Sequence, residues 1–283
     1  MRLFLMMMGV ILMMAAPCAK ASDLFASLPD LLSGHLAQGG MVIGKTTPGS
    51  SVFLNDQPIR VAVDGRFVIG FGRDAPLSHI LRIKSPDGRV AQHDLTLEDR
   101  EFKVERVDGL PPDTVTPPPE YYERRRHETG LVRTARAEMS DLMAWSEGFI
   151  LPAKGRISGV YGSQRILNGE PRSPHYGLDV AAAPGTAVVA PAAGIVRLAA
   201  PDFLLEGGIL IIDHGFGVSS TLMHLKSVDV AVGDQVKQGE PVATLGATGR
   251  ASGPHVDWRI NWLDTRIDPQ LVLQMPQQEG AAP

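Results

Sequence analysis

The chain has 283 residues, 44% of them hydrophobic and 20% charged, with 30 glycines, 22 prolines and a formal charge of −4. That length accommodates about two domains, and the acidic balance excludes a typical nucleic-acid binder, which needs a basic surface. The abundance of glycine and proline favours turn-rich β structure over a helical bundle.

Residues 1–21 read as an export signal. Arg2 precedes the apolar run "LFLMMMGVILMMAA", which is too short for a comfortable membrane span. The triplet "AKA", Ala19 to Ala21, is a small-x-small cleavage site before Ser22. Cys18 raises lipidation as an alternative, but Ala16 and Pro17 before it fit that pattern poorly. Cleavage after Ala21 removes Cys18, the only cysteine, together with Arg2 and Lys20, leaving 25 basic against 31 acidic groups, a charge of −6. Without a thiol, disulfides and thiolate metal sites are excluded, so any metal must be held by His, Asp or Glu. No later segment is apolar enough over sufficient length to span a membrane. A secreted, periplasmic protein is expected.

Residues 35–107 read as a small β-sandwich-like domain. "SVFLND", "RVAVDGRFVIGF" and "HILRIKSPDGRVAQHDLTL" are strand-like, with hairpin turns at Asp64-Gly65 and Asp87-Gly88. His79 and His93 are isolated there and read as ordinary surface or core histidines. Residues 108–148 read as a linker and a connecting helix. "LPPDTVTPPPE" has five prolines in eleven residues, the composition of a stiff spacer. Leu131, Ala135, Met139, Leu142 and Met143 then recur at helical spacing. The run Arg124 to Arg126 reads as a solvated helix face. From 150 to 270 the pattern is again short strands punctuated by glycine and proline. Residues 271–283 read as a tail.

Residues suited to chemistry fall in this last β region. In "PHYGLD", His175 and Asp179 are four apart, an even offset that puts both on one side of an extended segment. An imidazole with a carboxylate is half of a zinc site. In "LMHLKS", His224 ends a strand among apolar residues, as either a hydrogen-bonded core histidine or a catalytic group. In "GPHVDW", His255 and Asp257 are two apart and share one face of a strand. Three protein ligands with one position left open is the rule for catalytic zinc.

The ordered text "GVYGSQR", "HYGLDVAAAPGTAVVAPAAGIV", "GGILIIDHGFGVSSTLMHL" and "VAVGDQVKQGEPVATLGATGRASGPHVDWRI" resembles the lysostaphin/LytM family of peptidoglycan metallopeptidases. The resemblance implies a mainly β fold with a LytM-like sheet-and-hairpin domain over 150–270. It implies one Zn2+ held by His175 and Asp179, with His224 and His255 at the catalytic centre. The family closes on H-x-H, whose second histidine is the third ligand, and that position is Asp257 here. Carboxylate oxygen is an acceptable zinc ligand. Two carboxylates and one imidazole would neutralise the ion, weaken it as a Lewis acid and relax metal choice toward manganese.

The implied activity is metal-assisted hydrolysis of peptide cross-links in peptidoglycan, with stem peptides as substrate and His255 or His224 as the base. The N-terminal domain would be a spacer, or a unit docking to the wall or to a divisome protein. A metal-poor relative that activates a cell-wall amidase by binding it is the alternative. "VGDQVKQGEPVATLG" also resembles the hairpins of lipoyl and biotinyl domains, but it lacks their lysine at a tight hairpin tip, and an export signal does not suit that role.

Overall fold

The computed structural model describes residues 32–107, 120–167 and 169–275. The predicted export signal, most of the proline-rich linker and the last eight residues lie outside them. Among the described residues no helix is long and apolar enough to cross a membrane.

The first half is two small antiparallel sheets. One contains β1 (Leu32–Gly34), β2 (Met41–Lys45) and β5 (Arg66–Gly70), and the other runs in the order β4 (Gln57–Ile59), β3 (Ser51–Leu54), β6 (Ser78–Lys84), β7 (Val90–Thr96). Period-two burial is plain in β6, where His79, Leu81 and Ile83 are buried and Ser78, Ile80 and Lys84 are exposed. The turn into β7 closes through Gly88 at φ +86°, a conformation that favours glycine. His79 is held by Asn55 (2.7 Å) and the Pro76 carbonyl (2.8 Å), as a structural histidine would be.

Beyond it, β8 (Val104–Val107) runs parallel to β10 (Gln164–Leu167), which pairs with β11 (Glu170–Pro171). The second half is one large antiparallel sheet. Its main path is β17 (Gln235–Val236), β14 (Gly194–Phe203), β15 (Gly207–Gly215), β16 (Val218–Val228), β19 (His255–Trp262), β12 (Leu178–Ala181), β9 (Arg156–Gly159). Short partners complete it: β13 (Ala187–Val189) pairs with β18 (Pro241–Leu245), β18 also with β16, and β20 (Thr265–Ile267) with β19.

One face of this sheet is core. Leu178, Val180, Leu222, Val256, Trp258 and Ile260 point into it, and the same apolar cluster continues through Phe67, Ile69 and Phe71 of the first half. At the junction Gly70 lies against Trp262, so close that a Cβ there would stand 3.1 Å from the Trp262 Cβ. Arg100 reaches across to Asp268 (2.9 Å), which caps the short helix α2 (Pro269–Leu273) by accepting from the Gln270 N–H. Val272 and Met275 are buried in the core, so the residues at the start of the predicted tail are packed.

The other face is partly covered by α1 (Glu120–Ala137). Every residue of β15 is buried, because α1 and, at the Asp213–Gly215 end, the segment after it cover the side that the core does not. Ala135 and Val132 pack against Leu198, Ile209, Ile211 and Met223. The helix ends before the predicted Met139, Leu142 and Met143. Beyond Ala137 the Ser140 N–H donates to the Asp213 carboxylate (2.9 Å) and the Ser140 carbonyl accepts from Phe216 (3.2 Å), so the sheet takes the groups that a further turn would use. Nor is the basic run wholly solvated. Arg124 binds the Asp202 carbonyl (2.6 Å) and Arg125 the Glu206 carboxylate, which pins α1 to the β14–β15 hairpin.

Candidate metal centre

The strand register places the two acids. Asp179 of β12 stands directly opposite Asp257 of β19, and opposite residues of an antiparallel pair share a face. His175 enters from the segment before β12. Ligand atoms of His175, Asp179 and Asp257 all lie within 4.8 Å of one another. His175 Nε2 and Asp179 Oδ1 are buried and face each other at 3.1 Å, an ion pair if the ring is protonated, and neither has another hydrogen-bond partner. Buried polar atoms are rarely left so. A divalent cation shared by the three groups accounts for both, and a nitrogen with two carboxylate oxygens is a chemically sound donor set for it. Burial disfavours a charged His175, yet the neighbouring carboxylates of Asp179 and Asp257 outweigh burial and raise its proton affinity.

Two glycines make room for the acids. A Cβ on Gly159 would stand 2.8 Å from the Asp179 carboxyl carbon, and one on Gly177 would stand 3.0 Å from that of Asp257. In both cases a carboxylate oxygen is closer still.

His224 reaches the site by a break in its strand. Leu222 pairs with Leu210 and Leu225 with Gly208, so two residues of β16 oppose one of β15. The extra residue is a β-bulge, and His224 sits in it at φ +63°, a left-handed conformation that costs energy for a residue with a Cβ. Strict alternation would point His224 into the core with Leu222; the bulge turns it to the other face. Its ring lies 4.7 Å from that of His255, centroid to centroid. Both rings are fixed by carbonyls: His224 Nδ1 by Thr248 (2.9 Å) and His255 Nδ1 by Gly253 (2.8 Å). A carbonyl only accepts, so Nδ1 carries the hydrogen and each neutral ring presents a bare Nε2. His255 Nε2 is 4.0 Å from Asp179 Oδ1. All five residues singled out in the sequence therefore meet in one place.

Sequence reasoning missed Arg259 and Thr248. Arg259 is two residues past Asp257 on the same face, and its guanidinium binds the Asp257 carboxylate (Nη2–Oδ2 2.7 Å). Asp257 is only 2% exposed. Burial would raise its pKa, but Arg259 holds it below the usual carboxylate range. The charge count therefore changes: Asp257 and Arg259 together are neutral, as a histidine ligand would be, and the expected weakening of the ion's Lewis acidity is offset. The signal was the alternation His255, Asp257, Arg259 along one strand. Thr248 holds the bulge, because its hydroxyl donates to the Leu225 carbonyl (2.8 Å) and accepts from the Gly208 N–H (2.9 Å). His214 is a different case. It is fully buried between the Ala193 carbonyl (2.7 Å) and Ser220 (2.8 Å), and burial pushes its pKa down to about 4. It is a neutral structural residue, as its strand-turn setting suggests. The Arg165 backbone lies in β10, and its side chain falls outside the described residues.

Fold and cluster together define a mainly β domain with a candidate metal centre. Residues 173–269 match peptidase family M23, and the chain carries a domain of that family. A Pseudomonas aeruginosa crystal structure assigned to peptidase M23 is 27% identical, covers 84% of this chain and 95% of its own, and superposes with a TM-score of 0.64. The peptidoglycan DD-endopeptidase ShyC of Vibrio cholerae is 29% identical over 127 residues, 44% of this chain and 29% of that protein. The murein hydrolase activator EnvC of Escherichia coli is 35% identical over 120 residues, 42% of this chain and 27% of that protein. The chain spans less than a third of the length of the curated relatives it matches.

Proposed function

We propose that the chain is an exported zinc-dependent endopeptidase that hydrolyses peptide cross-links of peptidoglycan. In this reading His175, Asp179 and Asp257 hold the ion, and His224 and His255 line the reaction centre. The observation that carries it is the convergence of the three ligand groups, with His175 Nε2 and Asp179 Oδ1 buried and lacking any partner beyond each other, beside a pair of histidines whose Nδ1 atoms are taken by carbonyls. Likeness to ShyC supports the bond class, and the apolar leader at 1–21 supports export to the periplasm.

An ion bound there would polarise the scissile carbonyl and acidify the attacking water. The chain's own groups do the rest. Burial, together with the His255 charge, lowers the proton affinity of His224. His255, whose Nε2 lies 4.0 Å from Asp179 Oδ1, is the group placed to take the proton from water and pass it to the leaving amine. Thr248 and Gly253 orient the two rings. The module at 35–107 serves as the docking unit for the wall or for a divisome protein.

A second reading, activation of a cell-wall amidase by binding, is favoured by the hold of Arg259 on Asp257 and by likeness to EnvC. One experiment separates them. The mature chain and Asp257→Ala are assayed for bound metal and for release of muropeptides from isolated sacculi. The enzyme reading expects about one ion per wild-type chain, muropeptide release, and loss of both in the variant. A metal-free, inactive wild type that stimulates an amidase would establish the second reading instead.

A further inference from the structure

The face of the sheet that carries the metal centre carries a second group of charges farther along β19. Arg259 stands opposite Thr221 in the β16–β19 pair. Arg136, in the last turn of α1, donates from Nη2 to the Thr221 hydroxyl at 3.0 Å. Asn261, two residues past Arg259 and on the same face, stands opposite Arg266 of β20 and accepts from its Nη1 at 3.0 Å. Register and the docking of α1 thus gather three guanidinium groups at the end of the row Asp257, Arg259, Asn261.

Their counter-charges do not match. Arg259 has Asp257. Arg136 and Arg266 rest on a neutral hydroxyl and a neutral amide, and among the described residues neither forms a salt bridge. Arg136 Nε is buried with no partner at all. Burial, then the charges of Arg266 and Arg259, push the Arg136 pKa down to about 9, and burial with Arg259 lowers that of Arg266. Asp264 and Glu206 pull Arg136 the other way without cancelling this. Holding half-buried like charges together is unfavourable, and neutral side chains would serve Thr221 and Asn261 equally well. What the arrangement is suited to is an incoming anion, and the planar fork of arginine matches a carboxylate.

We propose that Arg136 and Arg266 form a subsite for a carboxylate of the substrate peptide, resting on the endopeptidase reading above. At the rise of an antiparallel strand, Arg259 and Asn261 lie roughly 7 and 13 Å along β19 from Asp257. The recognised carboxylate is therefore about two to four extended residues from the bond cut. In this arrangement α1 supplies a recognition residue as well as covering the sheet.

The test is binding, with no turnover. Metal-depleted mature chain is titrated by calorimetry with two synthetic cross-linked stem peptides that differ only in whether their carboxyl groups are free or amidated. Wild type binds the free acid at least about tenfold more tightly, as for a charge-assisted pair. Arg136→Gln and Arg266→Gln each reduce that preference, and the double variant loses it while its affinity for the amidated peptide is kept. Equal affinity of wild type for both peptides, no measurable binding of either, or an undiminished preference in the folded double variant would each overturn the proposal. The wild-type comparison decides the matter even if a variant misfolds. Sacculus digestion with metal restored tells the two ideas apart. Turnover without a carboxylate preference removes the subsite alone, and preference without turnover removes the hydrolase reading alone.

Discussion

Adding one methyl group at Gly159 tests the metal centre without touching a ligand. Gly159 has no left-handed φ, so alanine fits the backbone and the effect is purely steric. The new Cβ would stand 2.8 Å from the Asp179 carboxyl carbon, against an ordinary contact of 3.4 Å or more. The carboxyl group must retreat by about 0.6 Å at its carbon, several times the ~0.2 Å tolerance of a metal–ligand distance. Gly177→Ala repeats the displacement at Asp257, by about 0.4 Å at the carbon. Gly253 is the control: it precedes His255 by two residues, yet a Cβ there meets nothing within 4 Å. Zinc affinity, measured by competition with a chromophoric chelator, falls about 10- to 100-fold in Gly159→Ala and Gly177→Ala and is unchanged in Gly253→Ala. Wild-type affinity in both cradle variants would mean that the two carboxylates do not hold the ion.

Arg259→Gln removes the partner of a buried acid, so the metal-free protein loses about 3 kcal/mol. Zinc then no longer competes with a guanidinium for Asp257, and the rise in Tm on adding saturating zinc exceeds that of wild type; an equal rise refutes the charge argument. Asp257→His leaves Arg259 unpaired beside the ion, so Asp257→His/Arg259→Gln binds zinc more tightly than Asp257→His alone, and the reverse order in the chelator assay counts against compensation. His214 makes stability depend on pH. Its folded pKa is about 4 against about 6.5 unfolded, so the unfolded chain takes up a proton first as pH falls. The stabilisation is fully present above about pH 6.5 and is lost down to about pH 4, a loss of about 3 kcal/mol. Urea unfolding at pH 7 and pH 4.5 shows a smaller loss for His214→Gln than for wild type, and parallel losses would contradict the buried neutral assignment.

The site was legible to the extent that it follows alternation. His255 and Asp257 keep an even offset within β19, and the antiparallel register brings Asp179 opposite Asp257; His175 lies before β12, so its even offset from Asp179 is not strand alternation. Arg259 obeys the same alternation, but only burial of Asp257 shows why a cation belongs there. His224 breaks the alternation. No glycine marks its bulge, and the hydrogen bonds that hold it come from Thr248, more than twenty residues later in the chain. The amphipathic spacing of α1 continues through Leu142 and Met143, yet the Asp213 carboxylate takes the Ser140 N–H and ends the helix. "RFVIGF" reads as a strand, but nothing local says which neighbour its Phe67, Ile69 and Phe71 will cover. That depends on Trp262 and Ile267, nearly two hundred residues away.

Gly70 lying flat on Trp262 limits how the molecule can move. Trp262 closes the strand that opens with His255, so the far end of that strand is also a wall of the first half's core. Swinging one half against the other would peel that core open. Any such movement would have to break the contact of Gly70 with Trp262 and the apolar cluster that both halves share.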